Sequence, residues 1–128
     1  LSIIMADLDH FKAINDRFGH LVGDEVLKIS AARMVAGARG GDEVCRYGGE
    51  EFLLILDGAG LGEAQEVAER VRVRIAGNAV HCGDEQISVS ISLGLAEAQA
   101  NDTASSLIER ADAALYAAKA AGRNCIRG

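Results

Sequence analysis

Proline is absent from this 128-residue chain, so its turns rest on Asn, Asp and above all glycine, which occurs 15 times. Cysteine is scarce. Cys45, Cys82 and Cys125 are an odd, scattered set without a CxxC pair, which implies neither a zinc site nor a disulfide framework. Such usage fits a reducing, cytoplasmic compartment. Basic excess is also missing: the net charge is −6, which argues against a general nucleic-acid binder with a basic face. No apolar run approaches a membrane span, and no basic-then-apolar start marks a signal peptide. Any membrane contact belongs to segments outside this chain. The first residue is Leu, so the sequence reads as a piece of a longer protein, and the expected location is cytoplasmic, alone or as the cytoplasmic part of a membrane or sensor protein.

What is present suffices for one domain. Apolar residues make up 49% and charged residues 25%, as in an ordinary globular protein. A chain of this size covers about two-thirds of the surface its unfolded form exposes. Leu1 to Ala6 reads as a buried strand that ends in Asp7-Leu8-Asp9. His10 to Phe18 reads as a helix stopped by Gly19, and Val22 to Ala36 as a longer one with Asp24 and Glu25 in its first turn. Glu43 to Tyr47 and Glu51 to Leu56 flank Gly48-Gly49 as a β-hairpin, where the glycines can supply positive φ. Leu61 to Ala76 is helical, Gln86 to Glu97 an alternating strand, Thr103 to Ala120 a final helix, and Asn124 to Ile126 a last short strand. The fold class expected is α/β, an α+β sandwich of one mixed sheet covered by helices.

Two acidic pairs stand where apolar strands end: Asp7 with Asp9, and Glu50 with Glu51 directly after the glycines. Acids fixed at the end of a buried strand suit Mg²⁺, which takes one or two carboxylates and leaves its other positions to water and phosphate. If the first strand and the hairpin are neighbours, Asp7 and Glu50 converge. Two ions there activate a sugar hydroxyl and steady a transferring phosphoryl group. A glycine pair leaves the backbone open to a bulky nucleotide. The plainer alternative is a solvated hairpin tip and a strand-end capping acid, and on these residues alone it is slightly favoured.

The order of motifs adds to this. Asp7-Leu8-Asp9-His10-Phe11-Lys12, then Ile14-Asn15-Asp16, Gly19-His20 and Gly23-Asp24, resembles the opening of the GGDEF family of diguanylate cyclases. Gly48-Gly49-Glu50-Glu51-Phe52 resembles the family's name motif in its Glu form. Ser90-Ile91-Ser92-Leu93-Gly94 and the run from Ala111-Asp112 through Tyr116 and Lys119 to Gly122-Arg123-Asn124 resemble its later strand and last helix. Gly40-Gly41-Asp42-Glu43-Val44 imitates the motif but ends in Val, and only the downstream copy runs into Phe52 to Leu56. The active site is therefore assigned to residues 48–52.

The resemblance implies a palm-like nucleotidyl-cyclase fold with a mostly antiparallel sheet, spanning residues 1–128 as a single domain without the helix that precedes the family's first strand. It implies condensation of two GTP into cyclic di-GMP with release of two pyrophosphates, in a homodimer that brings two GTP sites face to face. Asp7, Glu50 and the Leu8 carbonyl would hold two Mg²⁺ or Mn²⁺ ions per site, and Glu50 or Glu51 would assist deprotonation of the 3′-hydroxyl. Asn15 and Asp24 would read guanine, as an amide and a carboxylate can; their plain alternative is helix capping. Phe11, Lys12, Gly48 and Gly49 would shape the nucleotide pocket, with N–H groups near residues 10–12 open to phosphate. Lys119 and Arg123 would reach the triphosphate, or else complement a helix C-terminus. Arg39 and Asp42 match the family's RxxD element, with Arg70 as the secondary arginine, a site that binds product and inhibits. The alternative there is an exposed ion pair of little worth. His20 reads as a turn residue, and the three cysteines as small core hydrophobes.

Two other functions compete. One is a non-catalytic module that binds cyclic di-GMP at Arg39, Asp42 and Arg70 and signals by docking; retention of the turn acids speaks against it. The other is a different palm-type cyclase or polymerase, disfavoured by Asn15, Asp24 and the Gly-Gly-Glu-Glu-Phe turn.

Overall fold

The computed structural model describes all 128 residues. Strand β1 (Ser2–Leu8) is buried along its whole length and lies at the centre of a five-stranded sheet. It is followed by α1 (Phe11–Phe18), α2 (His20–Gly37), β2 (Glu43–Arg46), β3 (Glu51–Leu56) and α3 (Leu61–Ala76). A small separate hairpin, β4 (Val80–Cys82) and β5 (Glu85–Ile87), precedes β6 (Ile91–Glu97), α4 (Ala104–Ala120) and β7 (Ile126–Arg127). The sheet order is β2-β3-β1-β6-β7. Every neighbour pair is antiparallel except β6 with β7. The mixed, mostly antiparallel sheet covered by helices is the architecture expected.

Alternation along β1 divides the core in two. Ile4, Ala6 and Leu8 point into the larger cluster, with Phe11, Val26, Met34, Val67 and Val71 from the helices on that side. Ile3 and Met5 point the other way, into a smaller cluster with Leu107, Ala111 and Leu115 of α4. Asp7, next in that second series, therefore emerges on the α4 face. The β6 residues on that face are small, and Gly94 makes the approach possible. A Cβ there would fall 2.1 Å from the Leu115 nitrogen and 2.3 Å from the Ala111 carbonyl oxygen. The last turn of α4, with Lys119, thus lies close against the end of β1.

Several expectations are corrected. The run from Gln86 to Glu97 is not one strand: it breaks after Ile87, and the first part turns back on Val80–Cys82 through Gly83 at φ 58. The break lets Ser90 bond to residue 9 rather than continue a ladder. Helix α2 begins at His20, so His20 opens a helix and Asp24 and Glu25 lie beyond its first turn. The last strand is Ile126–Arg127, one or two residues later than expected. The three cysteines are half-buried, and of them Cys82 packs against the larger core cluster.

Candidate active site

Strands β1 and β3 place the two acidic segments side by side. Asp7 pairs with Glu51 across the ladder. One step further, the Leu8 N–H donates to the Glu50 carbonyl at 3.3 Å, and the reciprocal bond to the Leu8 carbonyl is not formed. Leu8 itself is buried, while Glu50 and Glu51 are half-buried at the open end of the sheet. From the α4 side, Lys119 Nζ donates to Asp7 Oδ2 at 2.6 Å. Asp7 is almost enclosed in this pair, with 8% of its side chain exposed. Glu51 is pushed above its usual range, first by burial and then by the charges of Asp7, Asp112 and Glu50, with Lys119 acting the other way. No three acidic, His or Cys side chains stand close enough to hold an ion unaided. The donor set is nevertheless all hard oxygen, two carboxylates and a peptide carbonyl, which fits Mg²⁺ or Mn²⁺ completed by water and phosphate.

The turn between β2 and β3 differs from the expected tight hairpin. Residues 47–50 form a longer loop, and neither Gly48 nor Gly49 takes positive φ. A loop of this length does not need the mirror-image geometry of a two-residue turn. A Cβ at Gly49 would meet nothing within 4 Å, so the fold itself does not demand glycine there. The loop is closed by Tyr47 and Gly48 N–H groups on the Glu51 carbonyl, at 2.8 and 3.2 Å. It is also held by Arg46, whose guanidinium donates to the Gly48 carbonyl and, at 2.7 Å, to that of Gly49. The sequence reading passed over Arg46; its only signal is a guanidinium two residues ahead of the glycines.

Asn15 and Asp24 project from α1 and α2, and neither side chain makes a hydrogen bond within the chain or caps a helix. Gly23 is packed so tightly that a Cβ would lie 1.8 Å from Asn15 Oδ1 and 3.4 Å from Phe11 Cζ. Phe11 is buried in the larger core cluster. Asp24 lines a cavity of about 510 Å³ together with Leu27, Lys28, Arg46 and Phe52. Helix α1 starts without a side-chain cap, so N–H groups of its first turn are free of side-chain partners. Lys12 is exposed, and Arg123 is exposed with its side chain unbonded. Lys119 is the residue that departs from expectation, being paired with Asp7.

Arg39, Asp42 and Arg70 form a second cluster. The Arg39 guanidinium donates to both Asp42 oxygens, and the Arg39 N–H to Oδ2 at 2.7 Å. Asp42 has 1% of its side chain exposed, so this is an enclosed clasp and not the exposed ion pair of the plainer reading. Burial pushes Asp42 up, but the Arg39 hydrogen bonds and the charges of Arg39 and Arg70 outweigh it, leaving the carboxyl below its usual range. Arg39 also reaches the Asp57 carbonyl and Glu63, and Arg70 donates to the Gly37 carbonyl at 3.0 Å.

The family model for the diguanylate cyclase GGDEF domain matches residues 1–125. The chain belongs to the GGDEF family. It is 45% identical over its full length to the response regulator PleD of Caulobacter vibrioides, and it spans 29% of that relative. Among solved structures it resembles the diguanylate cyclase SiaD of Pseudomonas aeruginosa, solved with its activator SiaC. That likeness has a TM-score of 0.94 and 43% identity, over 98% of this chain and 48% of that one. It also resembles the GGDEF domain of DgcB from Caulobacter crescentus in complex with c-di-GMP. There the TM-score is 0.93 at 34% identity, over 98% of this chain and 75% of that one. No helix of this GGDEF domain is long and apolar enough to cross a membrane.

Proposed function

We propose that this domain is a diguanylate cyclase half-site, which binds one GTP and, facing a second copy, forms cyclic di-GMP. The observation that carries the reading is the pairing of Asp7 with Glu51 across β1 and β3, with Lys119 closing on Asp7. In each of two symmetric steps the 3′-oxygen of one GTP bonds to the α-phosphorus of the other. The bond to the β-phosphate bridging oxygen breaks, and pyrophosphate leaves.

Asp7, Glu50 and the Leu8 carbonyl are the residues that would hold the divalent cations. Bound there, Mg²⁺ or Mn²⁺ would supply charge for the phosphates and acidify the attacking hydroxyl. Glu50 or Glu51, the two turn acids beside Asp7, would accept the proton of the attacking 3′-hydroxyl. Asn15 and Asp24, unbonded within the chain, present an amide and a carboxylate to the guanine edge. The uncapped start of α1 offers N–H groups to phosphate. Lys119 exchanges its bond with Asp7 for the triphosphate, and Arg123 joins it there. The open space over Gly49 is where the nucleotide passes the backbone. Arg39, Asp42 and Arg70 form the product-binding inhibitory site; the clasp has to open for Asp42 to accept from guanine.

The test is incubation of the protein at high concentration with GTP and Mg²⁺ or Mn²⁺, with nucleotides read by chromatography and mass. Cyclic di-GMP appearing with two equivalents of pyrophosphate is the expected result. Tight cyclic di-GMP binding without product, even in a forcibly dimerised form, would favour a binding-only module instead.

A further inference from the structure

Asp9 is a buried acid that the chemistry above does not use. It lies two residues beyond Asp7, with 5% of its surface exposed, and its hydrogen-bond partners are all uncharged. The Ser92 hydroxyl donates to Oδ1 at 2.6 Å, the Ser90 hydroxyl to Oδ2 at 2.6 Å, and the Asn124 N–H to Oδ2 at 3.0 Å. Its own N–H donates to the Ser90 carbonyl at 2.9 Å. One side chain thus joins the start of the β1–α1 loop, the entry to β6 and the turn that follows α4.

That turn is unusual in its backbone. Arg123 at φ 66 and Asn124 at φ 46 are consecutive non-glycine residues in the left-handed region, directly after Gly122 at φ 116. Side chains disfavour this conformation, and it persists only where surrounding contacts over-determine it. Three further contacts hold the turn: the Gly122 N–H on the Lys119 carbonyl, the Arg123 N–H on the Ala118 carbonyl, and Arg72 on the Asn124 side chain. The Asp9 bond is the one that fixes the turn to the acidic end of β1. Asp7 and Asp9 therefore draw the same stretch of chain toward the site by two routes, one through Lys119 and one through Asn124.

We propose that Asp9 is a positioning residue, whose carboxylate, held by Ser90 and Ser92, fixes the Gly122–Asn124 turn and so aims Arg123 at the nucleotide's phosphates. The proposal rests on the GTP-binding reading given above. It assigns Asp9 no contact with substrate or metal, since three donors of the chain itself already engage both carboxylate oxygens.

The experiment measures binding of a non-hydrolysable GTP analogue and of guanosine, which lacks phosphate, to the parent protein and to Asp9→Asn. An amide presents a donor where a serine hydroxyl or the Asn124 N–H must be accepted, so the turn loses its anchor. The analogue is expected to bind about tenfold more weakly while guanosine binds as before. In an Arg123→Gln background the same Asp9 substitution should cost less than about twofold, because positions that act through one another are not additive. Should Asp9→Asn fail to fold, Ser90→Ala and Ser92→Ala, each removing one donor, carry the same comparison. Equal losses for guanosine and analogue, or an undiminished loss in the Arg123→Gln background, would overturn the proposal alone. A parent that binds neither the analogue nor guanosine would overturn it together with the reading beneath it.

Discussion

Two segments of this chain carry nearly the same letters eight residues apart, Gly40-Gly41-Asp42-Glu43-Val44 and Gly48-Gly49-Glu50-Glu51-Phe52, and the fold uses them in opposite ways. In each, the fourth residue opens a strand. The first strand is the sheet edge, whereas the second lies against β1 and meets Asp7. In the first segment glycine is structural, since Gly41 stands at φ 92. In the second it is not required by backbone or packing, and the space it leaves is open. Each segment also has an arginine. Arg39 grips the acid of the first, and Arg46 grips the carbonyls of the second, leaving Glu50 and Glu51 free. A motif is thus defined by what its neighbours leave unsatisfied, more than by its letters.

The sharpest way to break this contrast is to neutralise one acid in each segment. Glu50→Gln should lower turnover by about a hundred- to ten-thousandfold with the fold retained. Asp42→Asn should leave turnover in place and lower the unfolding midpoint, because it loosens an enclosed clasp. Activity assays beside thermal unfolding of both variants decide it; an active Glu50→Gln protein would remove Glu50 from the site.

Next in size is the effect on product binding. Arg39→Ala removes the guanidinium that holds Asp42 and that can grip phosphate or stack on guanine. Calorimetry should show cyclic di-GMP binding about ten- to a hundredfold weaker, with initial turnover unchanged. Lost turnover at unaltered product affinity would mean that the two segments do not serve separate sites.

Arg46→Ala should act more mildly, since it frees two carbonyls of an exposed loop and no acid. A fall in kcat of about three- to tenfold is expected, with Arg46→Lys restoring part of it. Gel filtration and unfolding curves matching the parent would show that the loop and not the fold has changed. An unaffected kcat would leave Arg46 as a surface contact only.

How far the sequence discloses this arrangement depends on the range of the interaction. Helix α3 is found at its expected bounds, because Val67, Ala68, Val71 and Ile75 repeat at helical spacing and meet the core. The sequence leads to Asp7 beside Glu50 if the first strand and the hairpin are neighbours; they are neighbours, but the register sets Glu51 opposite Asp7, which the apolar runs do not specify. Strands β4 and β5 were not legible, since three residues each carry too little alternation to register. Lys119 on Asp7 and Asn124 on Asp9 join residues more than a hundred positions apart. No local pattern specifies such bonds; they arise because Gly94 lets α4 settle on the sheet.

The smallest effect separates the segments by the sign of their response to acid. Both Asp42 and Glu51 are pushed up by burial, yet Asp42 ends below its usual range and Glu51 above it, because only Asp42 has a guanidinium for partner. A lowered carboxyl adds stability above its unfolded pKa and loses it as pH falls through the folded value. A raised one adds stability below its unfolded pKa and loses it as pH rises through the folded value. In metal-free buffer, Asp42→Asn should therefore be less stable than the parent at neutral pH, and the gap should narrow on acidification. Glu51→Gln should be slightly more stable at neutral pH, converging with the parent in acid. Unfolding midpoints followed from neutral pH down through the carboxylate range read both trends. A Glu51→Gln midpoint below the parent's at neutral pH would mean that Glu51 is held as an anion, by Lys119 or another donor, and that the second segment is as satisfied as the first.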